Sequence, residues 1–197
     1  MHLRRFLCFL LGIWLVGGLM VTGIATENFS LADRLATHPN PTAAAQLRNT
    51  SASTVHTVMR FQAAEENRYY FKLWEYAQMG LGAFFFAFVL FGTRENKLFL
   101  ILILSMLFIV FLQRRFLTPE LTSLGRELDF VPPDALSSER ARFWVLHGGY
   151  SLAELIKLAI GFFMTIHLLF GRWRGTLRNP RNELDMVNKA DYRHINR

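Results

Sequence analysis

Glu154 and Lys157 are the residues of this chain whose types and spacing could do chemistry. They stand three apart inside an otherwise largely apolar run, FWVLHGGYSLAELIKLAIGFFMTIHLLFG, from Phe143 to Gly171. Residues at that spacing are neighbours on a helix, and opposite charges there can pair. Two roles suit the pair: a relay for a proton or small solute, or an ion pair that fixes helix packing. One pair alone is not a pathway, which favours packing. With His147 as origin and ~100° per residue, Ser151, Glu154, Lys157, Gly161 and Thr165 fall in one stripe, with Tyr150 at its edge. The expected polar stripe is thus His147, Ser151, Glu154, Lys157 and Thr165. It must face other protein or enclosed water, because apolar solvent offers such groups nothing.

The histidines raise a second chemistry. His147 and His56 are expected on the same side of a membrane, so a bis-histidine haem site between helices is conceivable. His147 and His167 lie ~200° apart around an ideal helix and cannot share a haem; His167 reads as interfacial. No glycine-rich phosphate loop, HExxH or CxxC occurs, and no Ser/His/Asp arrangement can be argued. The acidic residues of the outer connections read as scattered and solvated. The expectation is a non-enzymatic protein with no catalytic residue, no cofactor and no metal site.

The elements that must position these residues are membrane helices. The chain has 197 residues, is 52% hydrophobic and carries 19 Phe. Its apolar residues come in long blocks, the pattern of membrane spans. Leu98–Leu112 (LFLILILSMLFIVFL) has Ser105 as its only polar side chain. A span takes roughly 20 mostly apolar residues. Crossings are expected at about Phe6–Ala25, Ala77–Gly92, Leu98–Leu112 and Trp144–Gly171, leaving outer connections 26–76 and 113–143 and a polar tail 172–197. The first run resembles a signal peptide, but it is longer than the typical h-region, which favours a retained helix. The single Cys8 excludes an intrachain disulfide.

The net charge of +7 is distributed in a way that argues against nucleic acid. The two outer connections are each neutral. All of the excess lies on the N-terminal residues, the short connection Thr93–Lys97 and the tail. Positive charge in short segments beside spans marks the cytoplasmic side, so both termini are expected in the cytoplasm, with the protein in the cell (inner) membrane. No basic helix or aromatic-basic surface supports a nucleic-acid partner.

Within the first outer connection, His38–Pro41 reads as a turn, with helix resuming near Thr42 or Ser53. Ser53 is the expected cap, and Val55, Val58, Met59, Tyr69 and Leu73 the expected apolar face. Trp74, Tyr76 and Trp144 have the character of an interfacial belt. In the second outer connection, Pro119 suits a helix start capped by Thr118, and Ser137 or Ser138 can cap the last helix. Gly18, Thr22 and Ala25 could let helices approach closely.

Three short motifs add a resemblance over about residues 74–165. Leu73, Trp74, Glu75 and Gln78 form an aromatic-Trp-Glu/Gln entry to the second span, and Arg115 to Pro119 a basic stop before Thr-Pro. Leu146, His147, Gly148, Gly149 and Ser151 form a Leu-His-Gly entry to the fourth, interrupted by an inserted Tyr150. In these the chain resembles a family of small multi-pass membrane proteins of unknown function that includes transmembrane protein 205. The matching positions are Trp74, Pro119, His147 and Gly148. The resemblance implies a four-helix membrane protein and no defined reaction.

The expectation is therefore an all-α integral membrane four-helix bundle with a helical extramembrane extension. Its expected role is that of a non-catalytic accessory, assembly or interaction subunit, its partners the lipid bilayer and a membrane protein or a second copy. The alternatives are a small oligomeric transporter with a polar path along the fourth helix, and a b-type haem protein.

Overall fold

The computed structural model describes residues 2–92, 97–132 and 137–170. The helices are α1 (His2–Thr37), α2 (Pro41–Leu47), α3 (Ala52–Gly92), α4 (Lys97–Leu112), α5 (Thr118–Leu128) and α6 (Ser138–Phe170), with a π turn at Gln113–Leu117 joining α4 to α5. No strand occurs among the described residues. Four stretches are long and apolar enough to cross a membrane: Arg4–Thr37, Ala52–Phe91, Lys97–Leu128 and Ser138–Phe170. Residues 93–96 of the expected short connection Thr93–Lys97, together with Gly171 and the tail 172–197, lie outside the described residues.

α1 and α4 each pack against both α3 and α6, so α3 and α6 face each other across a diagonal of the bundle. At one end, Arg4 Nε donates to the carbonyl of Leu168, and the ring of Phe6 lies 4.7 Å from that of Phe88. Phe99 and His167 meet there at 5.5 Å. The start of α1, the end of α3, the start of α4 and the end of α6 therefore share one level, the near end.

The bundle changes character along its axis. The near half is apolar inside, built on Leu11, Trp14, Phe85, Phe99, Ile103 and Met164. Small residues permit this packing: a Cβ on Gly161 would lie 2.9 Å from Leu15 Cδ2. The far half is held by ion pairs. Arg68 bridges Asp129 at 2.7 Å and Glu65 at 2.6 Å, and Arg126 bonds Glu65 at 2.9 Å. Arg60 reaches Asp33 at 2.8 Å, and Asn67 donates to the Ala25 carbonyl at 2.9 Å.

Several expectations are corrected. The first outer connection does not begin irregularly, since α1 runs unbroken past Ala25 to Thr37. Along residues 25–37, the Ala25 carbonyl, Asn28 and Asp33 find partners on α3, in Asn67, His56 and Arg60. The cap of α3 is Ser51, not Ser53: Ser51 Oγ accepts from Thr54 N at 3.1 Å. On α3, Val58, Tyr69 and Leu73 are exposed, and the buried face is Val55, Ala63, Asn67, Glu75, Gln78, Gly82, Phe85 and Val89. The acidic residues Asp33, Glu65, Glu75 and Asp129 are paired within the fold instead of solvated. Thr118 does not start a separate helix, because the π turn carries α4 straight into α5. Pro119 accounts for that turn. Its ring would clash with the carbonyl four residues back and it has no N–H to donate there. The chain widens instead, and Thr118 N–H bonds back to the Gln113 carbonyl. Ser137 caps α6, its Oγ accepting from Arg140 N at 3.2 Å.

Candidate functional site

The candidate site is a polar cluster inside the bundle where its apolar half ends. α3 contributes Glu75 and Gln78, which are one turn apart on its buried face. The π turn contributes Gln113 and Arg114, and α5 contributes its first residue, Thr118. α6 contributes Tyr150, Glu154 and Lys157. The extra residue in the π turn rotates the helix after it, so that Gln113 and Thr118, on either side of the widened turn, both point inward. On α6 the spacing of Tyr150, Lys157, Gly161, Met164 and Leu168 is helical, and all five are buried.

Two carboxylates organise the hydrogen bonds. Glu75 is fully buried. Its Oε1 accepts from Thr118 Oγ1 and from Tyr150 Oη, the latter at 3.1 Å. Arg114 Nη1 lies 3.8 Å from Glu75 Oε2, and Arg114 Nη2 donates to Tyr76 Oη at 2.7 Å. Glu154 Oε1 accepts from Lys157 Nζ at 2.8 Å and from Gln113 Nε2 at 3.1 Å. Lys157 Nζ also donates to Gln78 Oε1 at 2.8 Å, which ties α6 to α3 across the bundle. The Lys157 side chain is 1% exposed and that of Glu154 19%.

The charges balance: Glu75 and Glu154 against Arg114 and Lys157. A single buried charge in apolar surroundings costs several kcal/mol, and neutrality within the cluster removes most of that cost. The long side chains of α3 and α6 also span the diagonal of the bundle, which the backbones do not close. Among the described residues three buried polar atoms have no hydrogen-bond partner: the acceptors Glu75 Oε2 and Gln113 Oε1 and the donor Trp74 Nε1. The cluster can hold the helices in register and can share protons among its carboxyl, phenol, amide and ammonium groups.

The sequence-derived stripe is only half of this arrangement. Glu154 and Lys157 pair as expected and lie in the cluster. His147 and Ser151 do not: both are exposed, and Ser151 Oγ donates to the His147 carbonyl at 2.9 Å. The buried seam of α6 is turned by roughly 60° from the expected stripe, toward Tyr150. Thr165 sits at its side, donating to the Gly161 carbonyl at 2.9 Å. Trp74 is half-buried with its ring over Gly17, whereas Tyr76 and Trp144 are 52% and 61% exposed. Pro119 is exposed beside the π turn, and Gly148 has open space where a Cβ would stand. Glu75, Gln78, Gln113, Thr118 and Tyr150 were not expected to meet. The signal was the α3 spacing: Glu75 and Gln78 continue the heptad-like positions of Gly82, Phe85 and Val89.

The two histidines considered for haem do not come together. His56 Nε2 bonds Asp33 at 3.0 Å, and His147 stacks on Phe143 with ring centres 5.8 Å apart. Counting 1.5 Å per residue from the near end separates them by ~20 Å along the bundle. Among the described residues no group of three or more His, Cys, Asp or Glu could hold a metal ion. Comparisons with protein-family models, curated proteins and solved structures returned no match.

Proposed function

We propose that this chain is a multi-pass integral membrane protein acting as a non-catalytic accessory or assembly subunit, with the polar cluster as its internal lock. The observation that carries this reading is the closure of the cluster. Its one ammonium group, on Lys157, is 1% exposed and is held by two acceptors on two helices. A group that must exchange a solute needs access; a group that fixes packing needs partners. Around the near half the surface is apolar, with Phe91 at 87% and Phe162 at 62% exposure, which suits lipid and not water. α3 alone has 41 residues, which extends ~60 Å, about twice the hydrocarbon thickness. The far half then stands outside the bilayer as a rigid helical platform for a partner subunit. The distribution of positive charge supports both termini in the cytoplasm and this platform on the opposite side of the inner membrane. The resemblance to the family that includes transmembrane protein 205 is consistent with this architecture and adds no reaction.

A transport role is the second reading, favoured by the unpartnered buried oxygens of Glu75 and Gln113. The double variant Glu154→Gln with Lys157→Met separates the two. As a lock, the neutralised pair still folds and still assembles with its partner. Loss of solute flux from a folded, assembled double variant would make transport the function.

A further inference from the structure

We infer that a groove between α3, the π turn and α5 binds the headgroup of an anionic phospholipid whose acyl chain lies along α3. The inference rests on the membrane-spanning reading. The groove has a volume of about 380 Å³, and its lining carries four cationic side chains, Arg68, Lys72, Arg114 and Arg126, against one carboxylate, Glu65. Two of the four are committed. Arg68 is held by Asp129 and Glu65, and Arg126 gives two hydrogen bonds to Glu65. Lys72 is exposed and makes no ion pair among the described residues. Arg114 is 3.8 Å from Glu75 and gives one hydrogen bond, to Tyr76 Oη, so of its five N–H donors some remain for a ligand while its charge faces Glu75. One free ammonium and one loosely held guanidinium match a singly charged phosphodiester, with the Thr122 hydroxyl beside them as a further donor.

The level of the groove selects lipid over a soluble phosphate. Counting 1.5 Å per residue, Lys72 stands ~30 Å and Arg114 ~26 Å from the near end of the bundle, which is the outer edge of a ~30 Å hydrocarbon slab. From Lys72 toward the near end, the same face of α3 carries Tyr76, Gly80 and Ala83, all exposed. Nothing lies within 4 Å of a Cβ built at Gly80, so Gly80 and Ala83 leave a smooth patch on the outer face of α3 below Tyr76. Lys72 to Ala83 covers ~16 Å, the depth of one leaflet. Nearer the end of α3 a separate apolar groove of about 360 Å³ is lined by Phe84, Ala87, Phe88 and Phe91. A charged groove at headgroup level above an apolar helix surface suits a phospholipid headgroup with its acyl chain on α3.

The test uses the full chain in mild detergent, with dioleoyl phosphatidylglycerol, dioleoyl phosphatidylcholine and inorganic phosphate as probes and native mass spectrometry as readout. The expected result is one phosphatidylglycerol retained per chain in preference to phosphatidylcholine. Lys72→Gln weakens retention about fivefold, the effect of one basic residue near an anionic surface. Lys72→Arg retains it, and Arg48→Gln, just past the end of α2, leaves it unchanged. Because Lys72 is exposed and unpaired, its variants keep the wild-type helix content and melting temperature. Equal retention of the two lipids, or no effect of Lys72→Gln, would overturn the site. Displacement of the lipid by millimolar inorganic phosphate would assign the groove to a soluble anion and overturn the lipid assignment. Failure of the chain to enter lipid nanodiscs at all would contradict the membrane reading itself.

Discussion

The Glu154–Lys157 pair predicts a specific pattern of non-additive stability. Glu154→Gln removes the counter-charge of an ammonium that is 1% exposed. Gln78 Oε1 and the new amide oxygen still accept from it, so the cost falls at the lower end of the range for breaking a buried pair, ~3 kcal/mol. Lys157→Met leaves a carboxylate that is 19% exposed and still holds Gln113 Nε2 at 3.1 Å. Water reaches it, and the main loss is the donor to Gln78, ~1–3 kcal/mol. The double variant removes both charges together, loses the donor to Gln78 and retains the Gln113 amide bond to position 154, for a net cost of ~1–2 kcal/mol. The cycle therefore gives a coupling energy of ~3 kcal/mol. Hydrogen bonds between membrane helices average only ~0.6 kcal/mol in comparable cycles, so a value of that size would mean that charge is unimportant here. The assay is reversible unfolding in mixed micelles, followed by helix content for the wild type, the two single variants and the double. A coupling below ~1 kcal/mol would refute the argument that the buried charges hold each other in place.

Three further outcomes follow from the same contacts. A Cβ at Gly17 would lie 2.2 Å from Trp74 Cη2, so Gly17→Ala must displace that indole; the expected cost is ~1–3 kcal/mol with a shift in tryptophan emission, and unchanged values would refute the close α1–α3 approach. Arg68→Ala strips both hydrogen bonds from an Asp129 side chain that is 7% exposed, at ~3 kcal/mol, whereas Arg34→Ala breaks a pair whose side chains are 64% and 65% exposed and should cost under ~1 kcal/mol. Ser51→Ala removes the cap of α3 at ~1 kcal/mol and should speed hydrogen exchange at Thr54 without affecting the near half of the bundle.

What was legible in the sequence follows from which physical signals are local. The apolar blocks announced four long helices because an uninterrupted apolar run of that length satisfies its backbone groups within itself only as a helix. The pairing of Glu154 with Lys157 was legible for the same reason, being a matter of helix pitch alone. The orientation of α6 was not. A stripe drawn from polar residues included His147 and Ser151, but buried space was won by Tyr150, Met164 and Leu168, whose volume fills the seam. Polarity alone does not identify the inward face of a helix whose outer face is itself largely apolar. Glu75 illustrates the complementary failure: counted with the charged residues of an outer connection, it lies on the buried face of a helix continuous from Ala52 to Gly92. The π turn was equally hidden. Pro119 signalled a helix start, yet α4 and α5 are one rod because a single wider turn absorbs the proline. That turn brings Gln113 and Thr118 into the cluster.

The most direct test of the account is purification of the full chain from native membranes in mild detergent, with a mass profile and a visible spectrum of what accompanies it. The account predicts a colourless complex in which a partner subunit is present in stoichiometric amount. A partner-free oligomer, or a Soret band, would contradict the proposal of an accessory subunit with an internally locked polar cluster.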